Sequence, residues 1–299
     1  MGIVCGCEDP PIDFHPPRDD AGGNRLPALP YPDTYERQLA KAIRPIVVML
    51  AEETRGLIEQ LDRFTVEDAR RMTAARAKAL REKLEEMADR VAARWTEESI
   101  IRAVKAPELV AGVDGLNQHA TLEQLAKAVS LSPLEIPPDS VAFVRAADGS
   151  FSEAKAERWA RANVKLITAM ADDHLERVAE ITSEAVRVGS RAEVVAARLR
   201  DTIGIASRKA KAIARDQIAT LQGQVVQARQ TRIGVERYRW RTVGDSRVRT
   251  AHRQREGQIF SWGQPPPDGH PGAPINCRCY AEPVLDDVLA AVSRGAKTS

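Results

Sequence analysis

The chain has 299 residues, 43% hydrophobic and 29% charged, which is enough apolar material for one or two folded domains and excludes disorder throughout. Its 44 basic and 42 acidic residues leave a formal net charge of +2, so nucleic acid cannot be drawn in by the overall field and any such contact needs a local patch. Four cysteines, set as Cys5-x-Cys7 and Cys277-x-Cys279, are too few to staple a chain of this size.

Aromatics are sparse, and Ala, Arg, Glu, Leu and Val are plentiful, a bias toward helices packed through small and aliphatic side chains. The longest apolar run, Pro45 to Ala51, is far short of the ~20 residues a bilayer requires. Nor does the N-terminus place a basic start before an apolar core, as a secretory signal would.

Residues 1–32 are rich in Pro, Gly and Asp and predict an extended arm, either a loose tail or a strap along a neighbouring subunit. Residues 33–150 predict a helical hairpin followed by a connecting region. Leu39, Ile43, Ile46, Leu50, Leu57 and Leu61 share one helical face, with Pro45 expected to kink that helix or mark its start. Thr65 offers a cap for a second helix reaching about residue 105. From 106 to 150, Pro107, Gly112, Gly115, Pro133, Pro137 and Pro138 predict interruption, with one short helical piece near Leu122 to Leu131.

Residues 151–299 form the third unit, with helices over 152–233 and a small sheet over 236–285. A helix is expected from Ser152 to Val188, stopped by Gly189. The capping box Ser190-Arg191-Ala192-Glu193 predicts a short helix ended by Gly204, and a last long helix then runs through Ile233. Gln222, Gln224, Gln227 and Gln230 make one side of it polar, which reads as a solvated face or as bonding to partner helices. Glu236 to Val243 alternates strictly, Tyr238, Trp240 and Thr242 opposing Arg237, Arg239 and Arg241, so it is a half-buried strand. A turn at Gly244-Asp245, a short helix within Ser246 to Arg255, and strands at Gly257 to Trp262 and Cys279 to Val284 complete a module that needs cover from the preceding helix. The fold class is therefore α+β: mostly long helices with a small C-terminal antiparallel β-module.

Three residue groups carry candidate chemistry. Between Arg229 and Arg255, nine arginines stand against two acids, Glu236 and Asp245. Either Arg237, Arg239, Arg241, Arg247, Arg253 and Arg255 meet phosphates or an acidic partner, or the arginines pair with carboxylates elsewhere in the chain. With no recognition helix or RNA-binding sheet motif, any DNA contact should be to the backbone, salt-sensitive and indifferent to sequence. Asp245, Arg249 and His252 form either a catalytic set or, preferably, a loop lock. Finally, His252, His270, Cys277 and Cys279 supply the ligand types of a zinc site. One residue between the cysteines is a poor match to the usual two, and the alternative is a pair of packed, reduced thiols with Arg278 pointing away. No cofactor is expected, and zinc is the alternative to none.

Taken together, Trp240-Arg241-Thr242, Gly244-Asp245-Ser246-Arg247-Val248-Arg249, His252, Gly257-Gln258-Ile259-Phe260, Gly272-Ala273-Pro274 and Asn276-Cys277-Arg278-Cys279 resemble the C-terminal signature of the phage head morphogenesis family, the Mu F-type minor head proteins. Upstream, Val194 to Arg200 and Ala212 to Asp216 resemble the helix pair that precedes it, so the likeness covers about residues 150–285. Trp240, Asp245, Arg249, His252, Asn276, Cys277, Arg278 and Cys279 are the signature positions. One departure stands out: Gly272-Ala273-Pro274-Ile275 separates His270-Pro271 from Asn276, where the family commonly has His-Pro directly before the final tetrapeptide.

The resemblance implies a minor structural component of a tailed-phage head rather than an enzyme. It would be made in the host cytoplasm and located in the virion, in the head interior or near the portal. Implied partners are the portal protein, major capsid or scaffold proteins, and packaged DNA through non-specific backbone contact, with no membrane. The competing readings are a metal-dependent hydrolase or nuclease, or a DNA-binding accessory factor, using the C-terminal Asp, His, Cys and Arg groups.

Overall fold

A computed structural model describes residues 26, 28–63, 74–129, 153–188 and 190–285. Among the described residues, six helices precede a three-stranded antiparallel sheet. Helix α1 (Asp33–Arg63) opens with Asp33 and Glu36 in its first turn, where carboxylates favour the positive end of the helix dipole. Its predicted stripe is the buried one: Leu39, Ile43, Ile46, Leu50, Leu57 and Leu61 all lie in the core. Pro45 sits within α1 and does not begin it.

Helix α2 (Ala74–Arg94) runs back along α1, since Leu57 and Leu61 share a cluster with Leu80 and Met87 while Leu50 shares another with Val91. The hairpin is thus antiparallel, but its second arm stops short of residue 105. Thr96 instead caps a separate helix, α3 (Glu97–Val104), accepting a hydrogen bond from the Ser99 amide at 3.3 Å. Lys105, in the left-handed region at φ 48°, turns the chain directly into α4 (Ala106–Val129). The Thr65 cap and residues 130–150 lie outside the described residues.

Helix α4 corrects the expectation of an interrupted connector. Pro107 falls in its first turn, where the missing N–H is one that no helix can use. Gly112 is there for space: a Cβ at this position would lie 2.2 Å from the Tyr35 ring. Helix α5 (Glu153–Val188) forms as expected. The two helices predicted over 190–233 are one, α6 (Ala192–Arg232), roughly 60 Å long at 1.5 Å per residue. Gly204 does not break it, because the ~1 kcal/mol cost of a helical glycine is small beside the burial of Leu199 before it and Ala210, Ala214 and Ile218 after it. The capping box is not made either. The Ser190 amide closes α5 by donating to Ala185 O at 2.9 Å, and Arg191 becomes the N-cap of α6 without a side-chain bond.

Three apolar clusters follow one another along α6. Leu199 joins Leu57, Leu61, Leu80, Met87 and Val178. Ile218, Leu221 and Val225 then join Leu39, Ile43, Leu50, Trp159, Ile167 and Met170. Val226 joins Leu29, Tyr238, Trp240, Trp262 and Ala281 under the sheet. Near the C-terminal end of α6, Arg229 forms a buried ion pair with Asp114 of α4 and also donates to the Asp114 carbonyl at 2.9 Å. Burial pulls the Arg229 guanidinium down to about 10, with Asp114 opposing the shift.

In the sheet, β1 (Arg237–Thr242) is central, between β2 (Ile259–Ser261) and β3 (Cys279–Pro283). Tyr238 faces Phe260 across one pair and Trp240 faces Ala281 across the other. The alternation read from the sequence holds, with Tyr238, Trp240 and Thr242 buried and Arg237 exposed. Gln230 joins sheet to helix with both ends of its amide: Nε2 donates to Ala281 O and Oε1 accepts from Trp262 Nε1, each at 3.0 Å. This part of the glutamine face is neither solvated nor intermolecular.

Of the expected arm, residues 26 and 28–32 are described, and Leu29, Pro30 and Tyr31 dock within the chain. Leu29 is buried in the sheet cluster, Pro30 O accepts from Gln222 Nε2 at 2.9 Å, and the Tyr31 hydroxyl donates to Glu36 Oε2 at 2.8 Å.

Candidate functional site

Between β1 and β3 the chain makes the short helix α7 (Thr250–Gln254), strand β2 and a long Pro/Gly loop over 263–278. That loop is held on α6. Thr220 Oγ1 donates to Gly272 O at 3.2 Å, and the Asn276 amide donates to Asp216 Oδ1 at 2.7 Å. Contact is close enough that Gly223 and Gly272 have no room for side chains: a Cβ on Gly223 would lie 2.6 Å from Pro271 O, and Gly272, at φ +91°, would meet Ala219 O at 2.9 Å. Asn276 adopts φ 54°, and this left-handed residue turns the chain so that Cys277 precedes the strand in which Cys279 lies.

At the inner end of the loop, Nδ1 of the buried His252 lies 3.7 Å from Cys277 Sγ and 3.4 Å from Cys279 Sγ. Its Nε2 is 2.9 Å from Asp268 Oδ2, and Arg255 Nη1 donates to the other oxygen of that carboxylate at 2.6 Å. Trp240 meets the His252 ring edge-on with centroids 5.2 Å apart, and the Arg255 guanidinium lies 5.0 Å over the Trp240 ring.

The two thiols differ in acidity. Cys277 is lowered to about 6, chiefly because Cys279 hydrogen-bonds to it, with the Gly272 and Cys279 amides and His252 assisting and burial opposing. Cys279 is raised by the same bond, then by burial, while the indole of Trp240 favours its thiolate. The Trp240 N–H has no nitrogen or oxygen acceptor. Burial alone would raise the Asp268 carboxyl, but its bonds with Arg255 and His252 outweigh that and hold it below the usual carboxylate range.

Of the sequence candidates, the structure brings together Trp240, His252, Cys277 and Cys279 and holds Asn276 at the rim. His270 is elsewhere: its Nδ1 is 2.9 Å from the Tyr238 hydroxyl and its ring lies against Trp262. Asp245, Arg249 and His252 do not form one cluster. Asp245 pairs with Arg278 at 2.7 Å and Arg247 at 3.4 Å, while Arg249 donates to Ile275 O. Each nevertheless ties loop to loop, as a lock would.

Several of the arginines bond to groups of the same chain, although Arg247, Arg249 and Arg253 stay exposed. Arg241 pairs with Glu282 at 2.7 Å and Glu256 at 3.2 Å, Arg239 donates to Gly257 O, Arg253 to Val248 O and Arg255 to Asp268. Arg237 is exposed at the start of β1. Sequence reasoning misses Asp268, Asp216, Glu256 and Glu282 as site residues. Asp268 sits in Pro265-Pro266-Pro267-Asp268-Gly269, where it reads only as turn chemistry.

A bundle of long helices clasping an arginine-lined β-module through a pinned Pro/Gly loop is the class that fold and site define. Residues 176–282 match the family model of Phage Mu protein F like protein, so the chain carries a Mu F-like domain and the phage head resemblance read from its sequence stands. A protein of Haemophilus influenzae (strain ATCC 51907 / DSM 11121 / KW20 / Rd), named only as uncharacterized, is 30% identical over 256 residues, which is 85% of this chain and 53% of that protein. The chain therefore spans about half the length of this relative. No solved structure matches it significantly. Among the described residues, no helix is long and apolar enough to cross a membrane.

Proposed function

We propose that the protein is a minor structural component of a tailed-phage head, acting in assembly through association with the portal and the capsid interior. The Mu F-like match over 176–282 carries this reading, because it coincides with α6, the sheet and the pinned loop, the parts with the most specific construction. The local chemistry supports it. Ion pairs and backbone bonds tie together elements distant in sequence, as a module that must hold its shape under assembly requires. The pairing of the largely buried Arg241 and Arg255 with carboxylates of the same chain also neutralises charge that a phosphate contact would use.

Co-expression of the full chain with a portal protein from the same genome tests the proposal. The expected result is a complex that survives gel filtration and shows density for this chain on the portal ring. If the chain and a correctly formed portal elute separately at micromolar concentration, and heads assembled without the chain are normal in number and DNA content, the proposal fails.

A further inference from the structure

We infer that His252, Cys277 and Cys279 form a binding site for a thiophilic divalent cation, zinc in the first instance, which clips the 263–278 loop to α7 and β3. Their ligand atoms all lie within 4.8 Å of one another. A tetrahedral zinc with bonds of ~2.3 Å to sulfur and ~2.05 Å to nitrogen would separate nitrogen from each sulfur by about 3.6 Å. The two observed separations, 3.4 and 3.7 Å, bracket that value.

Hydrogen bonding to the imidazole accounts for only one of these two contacts. A neutral imidazole nitrogen has one lone pair and accepts one S–H, yet both sulfurs approach the same Nδ1. One cation between the three atoms satisfies them together. Asp268 supplies the outer contact that metal-bound histidines generally have: with Nε2–H donated to the carboxylate, the lone pair is fixed on Nδ1 and aimed at the sulfurs. Arg255 fixes Asp268 in turn.

The single residue between the cysteines is no obstacle. Asn276 at φ 54° puts Cys277 in a turn outside the strand, and the Cys277 amide is held by Pro274 O at 2.9 Å, so both sulfurs reach one point from different backbone directions. Two thiolates and an imidazole are soft and borderline donors that select zinc over magnesium or calcium. Burial of Cys277 and His252 limits exchange with solvent. Among the described residues three supply ligands, which leaves the fourth tetrahedral position to a further donor. This inference does not rest on the head-assembly reading, and failure in portal binding would leave it intact.

The test uses the full chain purified from zinc-supplemented cells, with metal content measured by mass spectrometry and Co(II) substituted as a spectroscopic probe. About one zinc per chain is expected, and the cobalt form should show thiolate-to-metal charge transfer with intense tetrahedral ligand-field bands. Cys279→Ser and His252→Gln should each lower cobalt affinity by at least ~10-fold, while His270→Gln should leave it unchanged. Asp268→Asn, acting through His252, should weaken binding ~10- to 100-fold without removing the charge-transfer band. Should Cys279→Ser fail to fold, the cobalt spectrum of the unaltered chain decides alone. Less than about one-tenth of a zinc per chain together with a cobalt spectrum lacking charge transfer would overturn the inference, as would equal loss of binding in His270→Gln.

Discussion

Alanine substitution at two helical glycines should have opposite effects on stability, and the difference follows from what each Cβ would meet. In an open helix interior, Gly→Ala stabilises by roughly 0.5–1 kcal/mol, because alanine restricts the unfolded chain and favours the helical backbone. Gly56 in α1 has nothing within 4 Å of an added Cβ, so Gly56→Ala should realise that gain. Gly223 in α6 faces Pro271 O at 2.6 Å and Gly272 Cα at 3.2 Å, both backbone atoms that cannot rotate aside. The loop must therefore retreat by a good fraction of an ångström. Doing so stretches the Thr220–Gly272 bond at 3.2 Å and the Asn276–Asp216 bond at 2.7 Å, each worth about 1 kcal/mol.

Overpacking of this kind costs ~1–3 kcal/mol and the weakened loop bonds add to it, so after the helical gain of ~0.5–1 kcal/mol is subtracted the net loss should be about 1–2 kcal/mol. In a protein of this size that lowers the melting midpoint by roughly 2–8 °C, measurable by circular dichroism at 222 nm in parallel with Gly56→Ala. If Gly223→Ala melts at or above the unaltered chain while Gly56→Ala rises as expected, the close packing of the loop on α6 is wrong.

Two further substitutions probe the buried polar groups. Asp114→Ala removes the carboxylate from the Arg229 guanidinium, which has no exposed side-chain surface, and should cost about 3–5 kcal/mol in urea unfolding; adding Arg229→Met should restore most of the loss, and a double variant as unstable as the sum of the singles would refute the pairing. His174 is buried with Nε2 2.8 Å from Thr54 Oγ1, and desolvation holds its imidazole below the ordinary value of 6.5. Since the folded value is the lower one, the unfolded chain takes up a proton first as pH falls. The stability His174 confers is therefore complete above about pH 6.5 and declines below it, by at most ~1.4 kcal/mol per pH unit. Replacing it in His174→Gln should flatten the decline between pH 7.5 and 5.5 relative to the unaltered chain, and parallel slopes would show that another group is responsible.

The elements that could be read from sequence are those in which burial on a single face dictates the spacing of apolar residues. The α1 stripe from Leu39 to Leu61 and the alternation of β1 are of this kind, and both are present with the expected residues inside. What misled was punctuation. Gly112, Gly204 and Pro107 are breakers in isolation, but a glycine costs a helix only ~1 kcal/mol and a proline in the first turn removes no helical bond, so tertiary contacts outweighed them. At the site, His252, Cys277 and Cys279 could be nominated from residue type. Asp268 could not, because its role depends on a 16-residue return of the chain that no local pattern encodes.

Helix α6 meets all three apolar clusters in turn, which makes its residue count a geometric parameter of the molecule. One residue inserted between Leu199 and Val226 would swing every downstream side chain through about 100° and advance it ~1.5 Å. Arg229 would then turn away from Asp114 of α4, and the sheet module, which follows α6 in the chain, would be carried off Leu29 and Ala120. Seven residues would nearly restore the angle while displacing the module by ~10 Å. Length variation along this shaft should therefore be tolerated only in multiples close to whole turns.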